Sequence, residues 1–319
     1  MKHIDKLLWS AGVATAGVAV SAAVSHAVTK DLFRIAVERE CPHKITPKTR
    51  NRFAGGRVDE RFLRAMKDAA AALNAAPHDT VEICARDGQT LVGHWFPCPD
   101  AKRVILAMHG WRSGWASDFG LIHPFFANNQ CSVLYAEQRG QGRSGGDHMG
   151  LGLLERYDCL DWLRWLGSEL PIFMAGVSMG ATTVLMATGF ELPPNVRGVI
   201  ADCGFTSAYE ISRHILNRNL HLPFRSRAKA ANALFRKRLQ LEIQEYSTVD
   251  ALAEATVPVL FIHGSDDTFV PVTMTYTNYQ ACPGPRDLLI VPGADHGMSY
   301  YLEPQRYQAA LLKFWQDWG

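Results

Sequence analysis

From Thr80 onward, short apolar runs alternate with stretches of helical spacing. "TVEICA" and "TLVGHWF" are strand-like and separated by the turn signal Arg86-Asp87-Gly88-Gln89, which predicts a hairpin. The runs "RVILAM", "SVLYAE", "PIFMAG", "VRGVIA", "VPVLFI" and "RDLLIV" follow, each almost continuously apolar. Between them, helical spacing falls near Ser117–Asn128, Leu151–Leu166, Met179–Phe190 and Val272–Ala281, with a last helix near Glu303–Trp318. Strands without a polar face, alternating with helices, predict an α/β fold: a mostly parallel twisted sheet covered by helices on both faces. Upstream, Asp59 to Ala76 has helical spacing through Phe62, Leu63, Met66, Ala70 and Leu73, and Pro77 stops it.

The N-terminus follows a different pattern. Leu7 to Val24 is an uncharged stretch of 18 residues between Lys2/Lys6 and Lys30/Arg34. That is close to the ~20 residues needed to cross a bilayer, and predicts a retained membrane anchor over 1–30. A cleavable signal ending near Ser25-His26-Ala27 and a buried N-terminal helix are the competing readings. Lys2 and Lys6 favour a cytoplasmic N-terminus with an exported catalytic body. Residues 31–57, polar and basic with Pro42, Pro47 and Gly55-Gly56, suit a tether ahead of a body over 58–319.

Composition narrows the function classes. Among 319 residues, 47% are hydrophobic and 20% charged, which fits neither a disordered chain nor one wholly embedded in a membrane. A net charge of +2 gives no electrostatic footprint for nucleic acid. Cys41, Cys84, Cys98, Cys131, Cys159, Cys203 and Cys282 form no C-x-x-C pair and are odd in number, against a disulfide framework or zinc site.

In parallel sheets, functional residues gather beyond the carboxyl ends of strands. Four strand ends here place glycine next to a reactive group: His109-Gly110-Trp111, Gly176-Val177-Ser178-Met179-Gly180, His263-Gly264-Ser265-Asp266-Asp267, and Gly293-Ala294-Asp295-His296-Gly297. G-x-S-x-G between a strand and a helix reads as an elbow that holds Ser178 out as a nucleophile. A serine alcohol needs a base, which His296 supplies, and the imidazole needs an acid to orient it. Asp266 and Asp267 compete for that role, with Asp202 a further rival at another strand end. The Met179 N–H, at a helix N-terminus, is a donor for the oxyanion. His109 and His263 read as loop-stabilising histidines. No H-E-x-x-H or comparable ligand spacing argues for a metal.

The stretches "ILAMHGWRS", "EQRGQGRSGG", "GVSMGA", "IADCGF", "LFIHGSDDTFVP" and "DHGMSY" resemble the α/β-hydrolase superfamily over about residues 80–318. In detail they are similar to membrane-anchored serine hydrolases of Gram-positive bacteria. The resemblance implies a Ser178/Asp267/His296 triad, a second oxyanion donor at the N–H of Trp111, and hydrolysis of a small-molecule acyl substrate without a cofactor. It selects Asp267 as the acid because of its place three residues before the Val-Pro pair. Relatives usually carry Asp-x-Arg-Gly-His-Gly-x-Ser where Glu137 to Ser144 stand here, with Glu137 replacing Asp and Gln141 replacing His. That change bears on local hydrogen bonding, since the motif holds no triad member.

Between "VIADCGF" and "VPVLFI" lie some fifty residues, too many for a plain connection. Segment 205–250 has helical spacing and carries Arg213, Arg218, Arg225, Arg227, Lys229, Arg236, Lys237 and Arg238. In this fold such insertions form a cap over the nucleophile, which is expected to choose the substrate. Its charge is a solvated helix face, or an attraction for acidic substrates or membrane phosphates. A carboxylic esterase through an acyl-enzyme is the expected function; peptidase or thioesterase activity, or an inactive binding module, are the alternatives.

Overall fold

The computed structural model describes residues 23–41 and 59–319. Eight strands form one sheet: β1 (Asp79–Cys84), β2 (Thr90–Phe96), β3 (Arg103–Met108), β4 (Cys131–Ala136), β5 (Ile172–Val177), β6 (Val196–Asp202), β7 (Val259–Gly264) and β8 (Arg286–Val291). Their order is β1-β2-β4-β3-β5-β6-β7-β8. The β1–β2 hairpin is antiparallel, as is β2 against β4, and every pairing from β4 across to β8 is parallel. The chain therefore has the expected α/β-hydrolase fold, and the apolar runs of β3, β4 and β7 are buried because helices cover both faces.

Residues 23–37 form helix α1. Helix α2 (Glu60–Ala75) starts where the Asp59 side chain accepts hydrogen bonds from the N–H groups of Arg61 and Phe62. The single helix expected near Ser117–Asn128 is two, α3 (Trp115–Phe119) and α4 (His123–Asn128). The break falls at Gly120, where a Cβ would lie 2.7 Å from the backbone of Ala69 in α2, and before Pro124. Then come α5 (Glu155–Leu166) and α6 (Met179–Ala187). The insertion holds α7 (Ala208–His214), a π-turn over Ile215–Asn219, and α8 (Ala228–Leu239). Helices α9 (Thr248–Ala253), α10 (Val272–Ala281), α11 (Ser299–Leu302) and α12 (Pro304–Trp318) complete the chain.

On one face of the sheet, Trp162 of α5 and Val184 and Leu185 of α6 pack on Leu106, Leu134 and Met174. On the other, Phe119, Phe126, Leu311 and Trp315 pack on Ile105, Phe173 and Ile200. A third cluster lies above the carboxyl ends of the strands. There Phe33 and Val37 of α1 meet Met179, Met186, Phe205, Phe235 and Leu239.

The expectation of an N-terminal membrane helix with an extracytoplasmic body is not met. Among the described residues, no helix is long and apolar enough to cross a membrane. Leu7 to Val24 lies outside the described residues except for its last two positions. Its two described positions, Ala23 and Val24, are exposed, whereas Phe33, Ile35 and Val37, further along the same helix, are buried against the protein body. The expected tether over 31–57 is likewise shortened, because residues 31–40 are docked; 42–58 lie outside the described residues.

Candidate active site

The elbow is built by close approach. Ser178 has φ 55° and ψ −117°, a strained conformation for a residue with a side chain. A Cβ on Gly180 would lie 1.8 Å from the Met108 carbonyl oxygen, and one on Gly176 would lie 2.3 Å from Gly180. Only glycine fits at either position. The Ser178 N–H is held by the Asp202 carbonyl at 2.8 Å, which ties the elbow to the end of β6.

Two loops bring the other groups to it. The loops after β7 and β8 are stitched by Asp266 N–H to the Ala294 carbonyl at 3.0 Å and by Gly293 N–H to Ser265 Oγ at 2.8 Å. His296 Nε2 then lies 2.9 Å from Ser178 Oγ, and His296 Nδ1 lies 2.7 Å from Asp267 Oδ2. A carboxylate only accepts, so Nδ1 carries the proton and Nε2 is free to accept from the serine hydroxyl. Asp267 is fully engaged: Oδ1 accepts from the N–H groups of Phe269 (2.9 Å) and Val270 (2.8 Å), and Oδ2 also accepts from His263 Nε2 (3.1 Å). Burial pushes this carboxyl upward, but the His296 charge and the bonds from His263 and His296 outweigh it, holding Asp267 well below the usual carboxylate range. Burial of the His296 ring pulls the other way from the Asp267 charge, and the charge wins, so His296 lies above the ordinary histidine range.

The rivals fall elsewhere. Asp266 is exposed and accepts from the Ser265 hydroxyl. Asp202 is buried and accepts from Ser299 Oγ at 3.2 Å; burial raises its carboxyl despite nearby His263 and a bond from Tyr307. His109 is buried, accepting at Nε2 from Gln138 N–H at 3.1 Å. His263 does more than its sequence context implies: its Nδ1 pairs with Thr275 Oγ1 at 2.6 Å while its Nε2 fixes Asp267. Its place beside Gly264 at a strand end is the one signal of that role in the sequence.

The backbone N–H groups of Trp111 and Met179 bond to no acceptor among the described residues. A Cβ on Gly110 would lie 3.3 Å from Ser178 Cβ, so the Gly110-Trp111 loop abuts the elbow. Asp118 fixes that loop by accepting from Gly110 N–H at 2.6 Å and from Ser113 Oγ at 2.5 Å. No sequence motif points to Asp118. The divergent Glu137–Ser144 loop supports the same region. Glu137 accepts from Arg143 N–H and pairs with His94, while the Gln138 side chain reaches the His109 carbonyl. Glu137 thus finds partners suited to its longer reach.

Beside the triad, Cys203 has φ 49°, and its Sγ, an Asp267 oxygen and a His296 nitrogen lie within 4.8 Å of one another, a possible set of metal donors. Burial, against the nearby His296, pushes the thiol up to about 11, so it carries its proton at neutral pH and would have to release it to bind a metal. Asp267 and His296 meanwhile satisfy each other.

A cavity of about 500 Å³ opens onto Ser178 and runs into the face of the sheet covered by α2, α3 and α12. Its walls include Phe62, Leu63 and Met66 of α2, with Ile122, Tyr301 and Leu311 opposite. No residue of 205–250 lines it. The insertion expected to choose the substrate instead covers the elbow helix through Phe235 and Leu239, with Arg236, Lys237 and Arg238 exposed.

The sequence profile described as the alpha/beta hydrolase family matches residues 104–310. The chain belongs to that family. This alpha/beta hydrolase is 27% identical over 231 residues to the uncharacterized protein YqkD of Bacillus subtilis, covering 71% of this chain and 75% of that one. It is 24% identical over 203 residues to alpha/beta hydrolase domain-containing protein 17B of Xenopus laevis, covering 62% of each. Its relatives thus extend beyond Gram-positive bacteria. Among solved structures it resembles the Pyrococcus furiosus esterase Pf2001, with a TM-score of 0.62, 22% identity, and coverage of 79% of this chain and 93% of that one. At that identity the likeness speaks for the fold of this alpha/beta hydrolase alone.

Proposed function

We propose that this hydrolase is a serine esterase that works through an acyl-enzyme. Ser178 Oγ attacks the ester carbonyl carbon as His296 Nε2 takes its proton, and Asp267 stabilises the imidazolium that forms. The N–H groups of Trp111 and Met179 receive the oxyanion. Collapse expels the alcohol, which takes the proton from His296; water then attacks the acyl-enzyme by the same route and releases the acid. The reading is carried by the hydrogen-bonded chain from Ser178 Oγ through His296 to Asp267, at 2.9 Å and 2.7 Å. The apolar walls of the adjoining cavity suit the acyl group, and the 205–250 insertion acts as a cover on the elbow helix.

A panel of p-nitrophenyl esters of rising chain length, with a thioester and a peptide alongside, tests this. Esters should be turned over fastest, and Ser178→Ala should retain no more than the ~10³-fold acceleration over water that an oxyanion site alone supplies. Wild-type rates in Ser178→Ala would reject the assignment. Preference for the peptide or thioester would move the function to the other chemistry that this triad serves.

A further inference from the structure

A helix leaves its last carbonyls without intrahelical partners, and they form the negative end of its dipole. At the end of α1 those carbonyls meet two consecutive side chains from the loop after β3. Trp111 Nε1 donates to the Ala36 carbonyl at 2.8 Å. The Arg112 guanidinium donates to the carbonyls of Ile35 (2.8 Å), Glu38 (2.5 Å), Arg39 (3.2 Å) and Arg34 (3.5 Å). The one carbonyl between them, that of Val37, accepts from Met149 N–H at 2.7 Å.

Arg112 itself has φ 48°, in the left-handed region that a side chain seldom occupies. Such a conformation persists only where surrounding contacts over-determine it. Its bonds to residues 34–39 supply those contacts. The same short segment is held from its other side. Arg39 donates to the carbonyls of Gly142 and Ser144 at 2.6 Å each and Gly146 at 3.2 Å, and its N–H donates to the Asp147 carbonyl at 2.7 Å. Phe33 rests edge-on against Phe235 of the insertion, with ring centroids 5.4 Å apart. Residues 33–39 therefore join the Trp111 loop, the 142–147 loop and the insertion, although they lie outside the stretch that matches the family profile.

We propose that residues 34–39 and Arg112 form a latch that sets the conformation of the oxyanion loop, making Arg112 a positioning residue for ester hydrolysis. This rests on the proposed assignment of the Trp111 N–H as an oxyanion donor. Arg112 borders the cavity at Ser178, but its guanidinium is engaged by the carbonyls of residues 34–39. It holds the peptide that follows the donor, and its charge offsets the negative end of the helix dipole. The N-terminal segment thereby becomes part of the catalytic apparatus.

The test uses full-length protein, a p-nitrophenyl ester, and rates expressed per active site titrated with a fluorophosphonate. Arg112→Ala should lower kcat per site ~10- to 100-fold, the range expected when an oxyanion donor is displaced, with KM within about threefold. Arg112→Lys, which keeps the charge but not the fork of donors, should recover part of the loss. If Arg112→Ala does not fold, Trp111→Phe, which removes the bond to Ala36 and trims the ring beside Phe269 and Arg112, should lower kcat per site several-fold with a wild-type circular dichroism spectrum. Unchanged kcat per site in a folded variant, even with a lower melting temperature, would overturn the latch and reduce these contacts to structural ones. A wild-type protein that the fluorophosphonate does not label would instead remove the serine reading beneath it.

Discussion

In the proposed mechanism one carboxylate, that of Asp267, sets both a rate and its pH dependence. Four donors converge on it, and one of them is the imidazole that faces Ser178. In Asp267→Asn the amide would favour the wrong imidazole tautomer, and kcat should fall ~10⁴-fold. In the wild type, His296 must lose its proton before it can act as base, and the Asp267 charge holds its pKa above the ordinary 6.5. The pH profile of kcat/KM should therefore rise through a limb above 6.5, and Asp267→Asn should move that limb to lower pH. The linked stability terms have opposite signs. Asp267, depressed on folding, stabilises the protein above the unfolded value of 3.8, and that contribution is lost as pH falls through its depressed folded value. His296, raised on folding, contributes fully below 6.5 and loses its contribution as pH rises through its folded value. At the elbow the constraint is steric. With a Cβ 1.8 Å from the Met108 carbonyl oxygen, Gly180→Ala should cost ~3 kcal/mol or more, read from urea unfolding.

The cavity wall belongs to α2, a helix that precedes the sheet in the chain. Phe62, Leu63 and Met66 share one face because residues four apart lie one above the other. Met66→Trp should shorten the longest acyl chain accepted without lowering kcat for a short ester, measured across a p-nitrophenyl ester series. A rate unchanged for every chain length would show that the acyl group lies elsewhere. The insertion carries the opposite expectation. Arg236 and Lys237 are exposed, Arg236 in a surface pair with Glu242, so reversing both charges should leave basal esterase turnover within about twofold. The apolar face of α2 is legible in the spacing of its residues, which begins at the capping residue Asp59. Its role as a wall is not, because which cavity a helix faces depends on packing against α3, and the close contact at Gly120 leaves only a glycine as its trace. The division of the expected single helix at Gly120 is hidden for the same reason.

Across the whole chain, what the sequence reveals is what local pattern encodes. Continuous apolar strands specify the parallel sheet, and glycines at strand ends point to Ser178, Asp267 and His296, which the fold brings together from three loops. What stays hidden depends on pairs far apart in sequence. Arg112 reaches residues 73 to 78 positions earlier to cap α1, and nothing near either partner announces the contact. Phe33 and Val37 stand among charged residues in a stretch that reads as a tether, because the core that buries them is supplied by residues far along the chain. The central claim is that His296 and Asp267 activate Ser178. Mass spectrometry of the intact protein after brief exposure to a fluorophosphonate, with peptide mapping, tests it most directly. A single adduct on Ser178, absent in Ser178→Ala and formed ~10³-fold more slowly in His296→Ala, is the predicted result. An adduct on another residue, or equal labelling without His296, would contradict it.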